Sequence, residues 1–129
     1  MKSGHQVKIF SLEQANNLLP LLRPLMRKLL KSYRSMLELE PHIQPARQKN
    51  LMDGGSVFGV AYIKLAEEFV ATYSKIDEMG VLVKDLRIGL CDFPHIRDGR
   101  LVYLCWKVDE EKIGYWHEVD SGFAGRQPL

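Results

Sequence analysis

Cysteine is scarce in this chain: 129 residues hold two. That is too few for a disulfide framework, so a reducing cytoplasm is the expected setting. Charge of one sign is lacking too. The formal net charge is +2, which removes any global electrostatic argument for nucleic acid or an acidic lipid surface. No apolar run approaches the roughly 20 residues of a membrane span, and no membrane association is expected. The opening stretch MKSGHQVKIF shows neither the apolar segment nor the small-residue cleavage site of a secretory signal. Internal repeats, low-complexity tracts and phosphate-loop spacings are missing as well. A secreted disulfide scaffold, a membrane protein and a repeat array are therefore set aside.

What is present is ordinary for a globular protein. Hydrophobic residues make up 46% of the chain, enough for a core without staples. By length the chain is one domain, 1–129, and a domain of this size buries roughly two thirds of its unfolded surface.

Ser11 and Gln14 form a capping box, in which each side chain can satisfy the other residue's orphan N–H. Val7 to Phe10 is short and β-prone, either an extra strand or a lead-in. Apolar residues then recur at spacings of three and four, from Leu12 through Leu22 and Leu29 to Leu37, marking a long amphipathic helix. Pro20 and Pro24 predict a kink or restart near Leu19, and Pro41 and Pro45 are expected to end the helix. Gln44 to Gly55 is the expected connection. A second helix is read from about Val57 to Met79, with Tyr62, Leu65, Phe69, Tyr73, Ile76 and Met79 as its buried stripe. Gly80 suits the position after its end. The two helices imply an antiparallel hairpin over 11–79.

From Gly80 the hydrophobic period falls to two. Val81–Leu86, Leu90–Ile96, Leu101–Val108 and Ile113–Asp120 read as strands of a small antiparallel meander, followed by an irregular tail. Pro94 weakens the second strand. Asp98-Gly99 is a strong two-residue hairpin turn. The fold class is α+β, with the helical hairpin packed on one face of the meander.

Counting outward from the turns predicts two faces. Phe93, His95, Val102, Leu104, Trp106, Val108, Ile113, Tyr115, His117 and Val119 are expected to meet the helices. Asp92, Pro94, Ile96, Leu101, Tyr103, Cys105, Lys107, Trp116, Glu118 and Asp120 are expected on the opposite face. Cys91 and Cys105 then point apart and stay reduced.

His117, Glu118 and Asp92 are the candidate catalytic residues. His117 reads either as a general base or metal ligand, or as a core histidine satisfied by its neighbours. Asp92, Glu118 and Asp120 could hold magnesium or manganese, or could be scattered acids on a solvated face. His95 and His117 lie too far apart to share one ion, and neither cysteine joins them in this register. No metal and no cofactor are therefore expected. Lys84, Asp85, Trp116 and Arg126 are candidates for ligand contact. Lys84 and Asp85 also suit an edge strand that must resist aggregation. The tail from Ser121 to Arg126 reads as an anion-binding nest or as a strap in which Phe123 plugs a gap and Arg126 pairs with a sheet carboxylate. The basic face of the first helix comes with no helix-turn-helix signature, so nucleic acid is not an expected partner.

The blocks FSLEQANNLLPLL and GVLVKDL…GLCDFP…DGRLVYLCW…IGYWHEVDSGFAGRQPL resemble a family of small prokaryotic proteins catalogued as domain of unknown function 2203. The resemblance covers nearly the whole chain, but from about Met36 to Met79 it rests on helical character alone. It implies a cytoplasmic bacterial or archaeal setting and supplies no activity. It singles out Lys84, Asp85, Asp92, Phe93, Asp98, Trp106, Trp116, His117, Glu118 and Arg126 as motif positions. The leading functional reading is a non-enzymatic binding or regulatory module, with a homodimer through the helices as a candidate assembly. The alternative is a small enzyme or a metal- or anion-binding protein using Asp92, His117, Glu118 and Arg126.

Overall fold

The computed structural model describes residues 7–49 and 57–129. Two helices, α1 (Leu12–Lys49) and α2 (Val57–Glu78), precede a sheet of five strands: β1 (Leu82–Asp85), β2 (Leu90–Arg97), β3 (Arg100–Lys107), β4 (Tyr115–Glu118) and β5 (Gln127–Pro128). The strands lie in chain order and every pairing is antiparallel. The fold is α+β, as the change of period at Gly80 predicts.

The N-terminus of α1 forms as its residues dictate. The Ser11 N–H donates to Gln14 Oε1 at 2.9 Å, and the Gln14 N–H donates to Ser11 Oγ at 3.0 Å. Just before it, the segment from Val7 to Phe10 is a lead-in rather than a strand. Its one sheet-like bond is from the Phe10 N–H to the Pro94 carbonyl, 2.8 Å, and it seats the buried Phe10 ring edge-on against Phe93.

The prolines do less than expected. α1 runs unbroken for 38 residues, through Pro20, Pro24, Pro41 and Pro45. Each proline forfeits one internal hydrogen bond. Pro20, Pro24 and Pro41 lie on the exposed side, where water can take a freed carbonyl while the buried stripe holds the helix. The residues from Gln44 to Lys49 are accordingly helical rather than connecting, and the rest of the expected connection lies outside the described residues.

At about 1.5 Å per residue α1 spans roughly 57 Å, twice the reach of an eight-residue strand. It therefore has two partners. Its first half, through Ala15, Leu19, Leu22, Met26, Leu29 and Leu30, packs on Cys91, Phe93, Val102, Leu104, Trp106 and Trp116 of the sheet. Its second half pairs with α2, antiparallel, with Tyr33 beside Phe69 and His42 stacked on Phe58.

The β2–β3 register is the predicted one, with Phe93 opposite Leu104, His95 opposite Val102 and Arg97 opposite Arg100. Asp98 and Gly99 both take positive φ, 53° and 77°, as a type I′ turn requires. A Cβ on Gly99 would meet nothing within 4 Å, so the penalty for a side chain there is backbone strain alone. Gly99→Val is expected to cost about 1–3 kcal/mol, read as a lower midpoint in a urea melt. A wild-type midpoint would mean that the turn tolerates a β-branched residue.

The β3–β4 register departs from expectation by one residue. Leu104 faces Trp116 and Tyr103 faces His117, where closing a four-residue turn over Asp109–Lys112 pairs Leu104 with His117. The connection does not close at once after Val108. Ile113 turns down onto α1, its N–H donating to Asn16 Oδ1 at 2.9 Å, and β4 starts only at Tyr115. Because side chains alternate, a one-residue slip moves every β4 side chain to the opposite face. Trp116 joins the core, Tyr115 and Val119 become exposed, and His117 goes to the face away from the helices.

Candidate functional site

The shifted register builds a polar cluster on the outer sheet face. Asp92 lies directly opposite Cys105 across β2 and β3, and His117 lies opposite Tyr103, the next outward-facing β3 residue. Asp92 Oδ2 and His117 Nε2 are 3.0 Å apart, and one ligand atom from each of Asp92, Cys105 and His117 falls within 4.8 Å of the others. Neither α1 nor α2 packs on this face among the described residues, yet Asp92 and His117 are each only 2% exposed. The Tyr103 ring, 5.6 Å from the imidazole, forms part of the cover. Lys84 in turn places its ammonium 5.2 Å from the Tyr103 ring centroid.

The protons of the pair follow from its hydrogen bonds. His117 Nδ1 is 2.7 Å from the Glu118 carbonyl oxygen. A carbonyl only accepts, so Nδ1 carries a proton and donates it. Nε2 therefore presents a lone pair to a carboxyl oxygen, and a second proton must lie between them. Burial pushes the Asp92 carboxyl above its usual range. The His117 bond, the His117 charge and Lys84 oppose that rise without cancelling it. Asp92 Oδ1 is the unfinished part. The Cys105 thiol helps hold the carboxylate but stands outside hydrogen-bond geometry, and Oδ1 is buried without a partner. Burial, then the charge of Asp92, pushes the Cys105 thiol up to about 11, so it is protonated at neutral pH.

The other candidates separate from this cluster. Glu118 has the opposite parity and pairs with Arg100 on exposed surface. Asp120 is exposed, so of the two readings of Asp92, Glu118 and Asp120 the three-carboxylate set does not assemble. Asp85 is occupied by the Arg87 guanidinium at 2.8 Å, within its own turn. Trp116 is a core residue with the Arg97 guanidinium over its ring. His95 Nδ1 contacts the Phe10 carbonyl at 2.7 Å and takes no part. Cys91 lies in the helix-facing core and Cys105 on the outer face, and both are free. The expectation that neither cysteine sits with His117 is corrected: Cys105 does, because the slip brings His117 to its side.

The tail folds back onto the sheet edge, but its anchor is not the expected one. Phe123 is 42% exposed. Arg126 instead donates from Nη1 and Nη2 to Glu110 at 2.9 and 2.7 Å, and from Nη2 to the Cys105 carbonyl at 3.2 Å. Its guanidinium stacks 4.1 Å from the Tyr115 ring centroid. Glu110 also accepts the Lys107 N–H, and its carbonyl takes Trp106 Nε1–H and an Arg23 N–H. Arg23, from α1, further reaches the Val108 and Glu111 carbonyls at 2.8 and 2.9 Å. With both terminal nitrogens committed to Glu110, Arg126 is poorly placed to receive an external anion.

Cys105, Glu110 and Arg23 carry this architecture without standing out in the sequence. Each could be found only through its spatial neighbours, although the alternation did place Cys105 beside Asp92 on one face. No curated protein and no solved structure matches the chain. A family model does, over residues 8–129, a span that includes α1, the whole sheet and the Arg126 strap. The chain belongs to the family described as Uncharacterized conserved protein (DUF2203).

Proposed function

We propose that the protein is a non-enzymatic binding or regulatory module that works as a homodimer, with the outer face of α2 as the contact surface. The supporting observation is a stripe of apolar side chains left uncovered on that face. Val57, Val60, Ile63 and Val70 are 82, 67, 61 and 60% exposed. Tyr62, Ile63, Ala66, Glu67, Val70 and Ala71 line a shallow groove between them. Scattered surface apolar residues need no explanation, but a contiguous stripe on one helix face does.

A second copy fits this face better than an unrelated partner, because the face complements itself. A two-fold axis beside Leu65 and Ala66 would set two α2 helices antiparallel. Val60 would then meet Ala71 of the other copy, and Lys64 would meet Glu67, each contact made twice. An enzymatic reading has less support. Asp92 and His117, the titratable pair with the most suitable chemistry, are closed off from any substrate larger than an ion by their burial.

Sedimentation equilibrium tests the proposal. The wild type is expected to be a dimer at micromolar concentration, and Ile63→Glu a folded monomer. Lys64→Glu alone should weaken association at least about tenfold, and adding Glu67→Lys should restore it, since the exchanged charges face each other again. A monomeric wild type, or a charge swap that restores nothing, would overturn the arrangement.

A further inference from the structure

We infer that Asp92, Cys105 and His117 bind a single divalent transition-metal ion of the zinc class, a role independent of the α2 face. The donor set is the first argument. A carboxylate oxygen, a thiol sulfur and an imidazole nitrogen come from three adjacent strands, with their ligand atoms within 4.8 Å of one another. Magnesium and calcium take oxygen donors, whereas sulfur and imidazole nitrogen favour zinc and its neighbours.

The second argument is the arrangement of the hydrogen bonds. His117 Nδ1 donates to the Glu118 carbonyl, which fixes the ring and turns the Nε2 lone pair toward the cluster. Metal-ligating histidines are oriented this way, with the other ring nitrogen donating to a carbonyl or carboxylate. Nε2 and Asp92 Oδ2 are two electron-pair donors 3.0 Å apart, and something positive must lie between them. A proton satisfies that need, and so does a metal ion.

Third is the buried Asp92 Oδ1, which has no hydrogen-bond partner although its residue is 2% exposed. A carboxylate oxygen left bare in the interior is costly. A cation held at the cluster is the natural means of relieving it.

The adjustment required is small. Tetrahedral zinc at about 2.0–2.3 Å from each ligand sets neighbouring donors about 3.3–3.8 Å apart. Asp92 and His117 must open by a few tenths of an ångström, and any donor pair near the 4.8 Å limit must close by about one. Binding displaces the proton between Asp92 and His117 and the Cys105 thiol proton, and both pass to solvent. The ion's two positive charges then meet one carboxylate and one thiolate. The site is neutral, so Lys84, whose ammonium lies nearby over Tyr103, is not set against a net positive centre. Three protein ligands leave a fourth position to water.

Cobalt(II) reports on such a site directly. The full chain, stripped with chelator and titrated with cobalt(II), is expected to take up one equivalent. It should develop the near-ultraviolet charge-transfer band of a thiolate–cobalt bond. Cys91→Ser should keep the band, because Cys91 lies on the helix-facing side of the sheet. Cys105→Ser should lose it, and should weaken zinc binding in competition by more than about 100-fold. Asp92→Asn should bind cobalt more weakly while keeping the sulfur band. A wild type that takes up no cobalt, or a band abolished by Cys91→Ser, overturns the inference. The wild type and Cys91→Ser decide the matter even if Cys105→Ser does not fold.

Discussion

His117→Ala is expected to destabilise the metal-free protein by about 3–5 kcal/mol, the usual consequence of removing one partner from a buried pair. The loss comes mainly from what stays behind. Asp92 is 2% exposed and already has one unpartnered oxygen, and without the imidazole it has two. The companion variant makes the argument testable. Asp92→Val combined with His117→Leu removes both polar groups and should recover most of the loss, because apolar replacement of a whole buried pair is often close to neutral. Urea melts of the wild type, Asp92→Val, His117→Leu and the double variant form a thermodynamic cycle. Additive losses would mean that the pair is not coupled and that the 3.0 Å contact carries little energy.

Arg126→Ala is expected to cost about 2–4 kcal/mol, and Phe123→Ala under about 1 kcal/mol, the reverse of what side-chain area suggests. A buried phenylalanine contributes roughly 1.5–3 kcal/mol, but Phe123 keeps 42% of its surface exposed and realises only part of that. Arg126 is 12% exposed along its side chain and holds Glu110 through both carboxylate oxygens. Bonds to charged groups in such settings contribute about 1.5–3 kcal/mol, more when a buried partner is left bare. Acid should release the same latch. Burial works against ionisation of Glu110, but the Arg126 bond, the Lys107 N–H and the two cationic charges outweigh it. The Glu110 carboxyl is therefore held below its ordinary value of 4.5. A depressed carboxylate contributes stability that is present above the unfolded value and is lost as pH falls through the folded one. Protection of the Gln127 and Leu129 amides, measured against their intrinsic exchange at each pH, should thus be high at neutral pH and fall below about pH 4.5, and Glu110→Gln should abolish the dependence. Protection that persists unchanged into acid would show that β5 pairing alone holds the tail.

The tail misled sequence reasoning for a definable reason. Phe123 carries the larger apolar surface, and Glu118 and Asp120 are the nearest acids in the sequence. The carboxylate that Arg126 uses, Glu110, lies 16 residues earlier in the turn after β3. Only the return of the chain along β4 brings it near. Pro20, Pro24, Pro41 and Pro45 misled in the other direction. Their local cost was legible, but the long buried stripe that overrides it acts across the whole helix.

By itself the sequence determined whatever depends on neighbours in the chain. The Ser11–Gln14 box, the helical stripe from Leu12, the Asp98-Gly99 turn and the β2–β3 register all depend on short-range geometry, and all appear as read. Tertiary structure alone decided the face of β4. Tyr115, Trp116 and His117 offer large rings at both parities, so hydrophobic alternation cannot tell which of them faces inward. The choice is made where Ile113 drops onto α1 and donates its N–H to Asn16, 97 residues away in sequence. With Ile113 seated there, β4 begins at Tyr115, Trp116 lies in the core and His117 lies beside Asp92 and Cys105. A polar cluster built from three strands depends on a register, and a register set by a helix–sheet contact is not encoded in any one stretch of the chain.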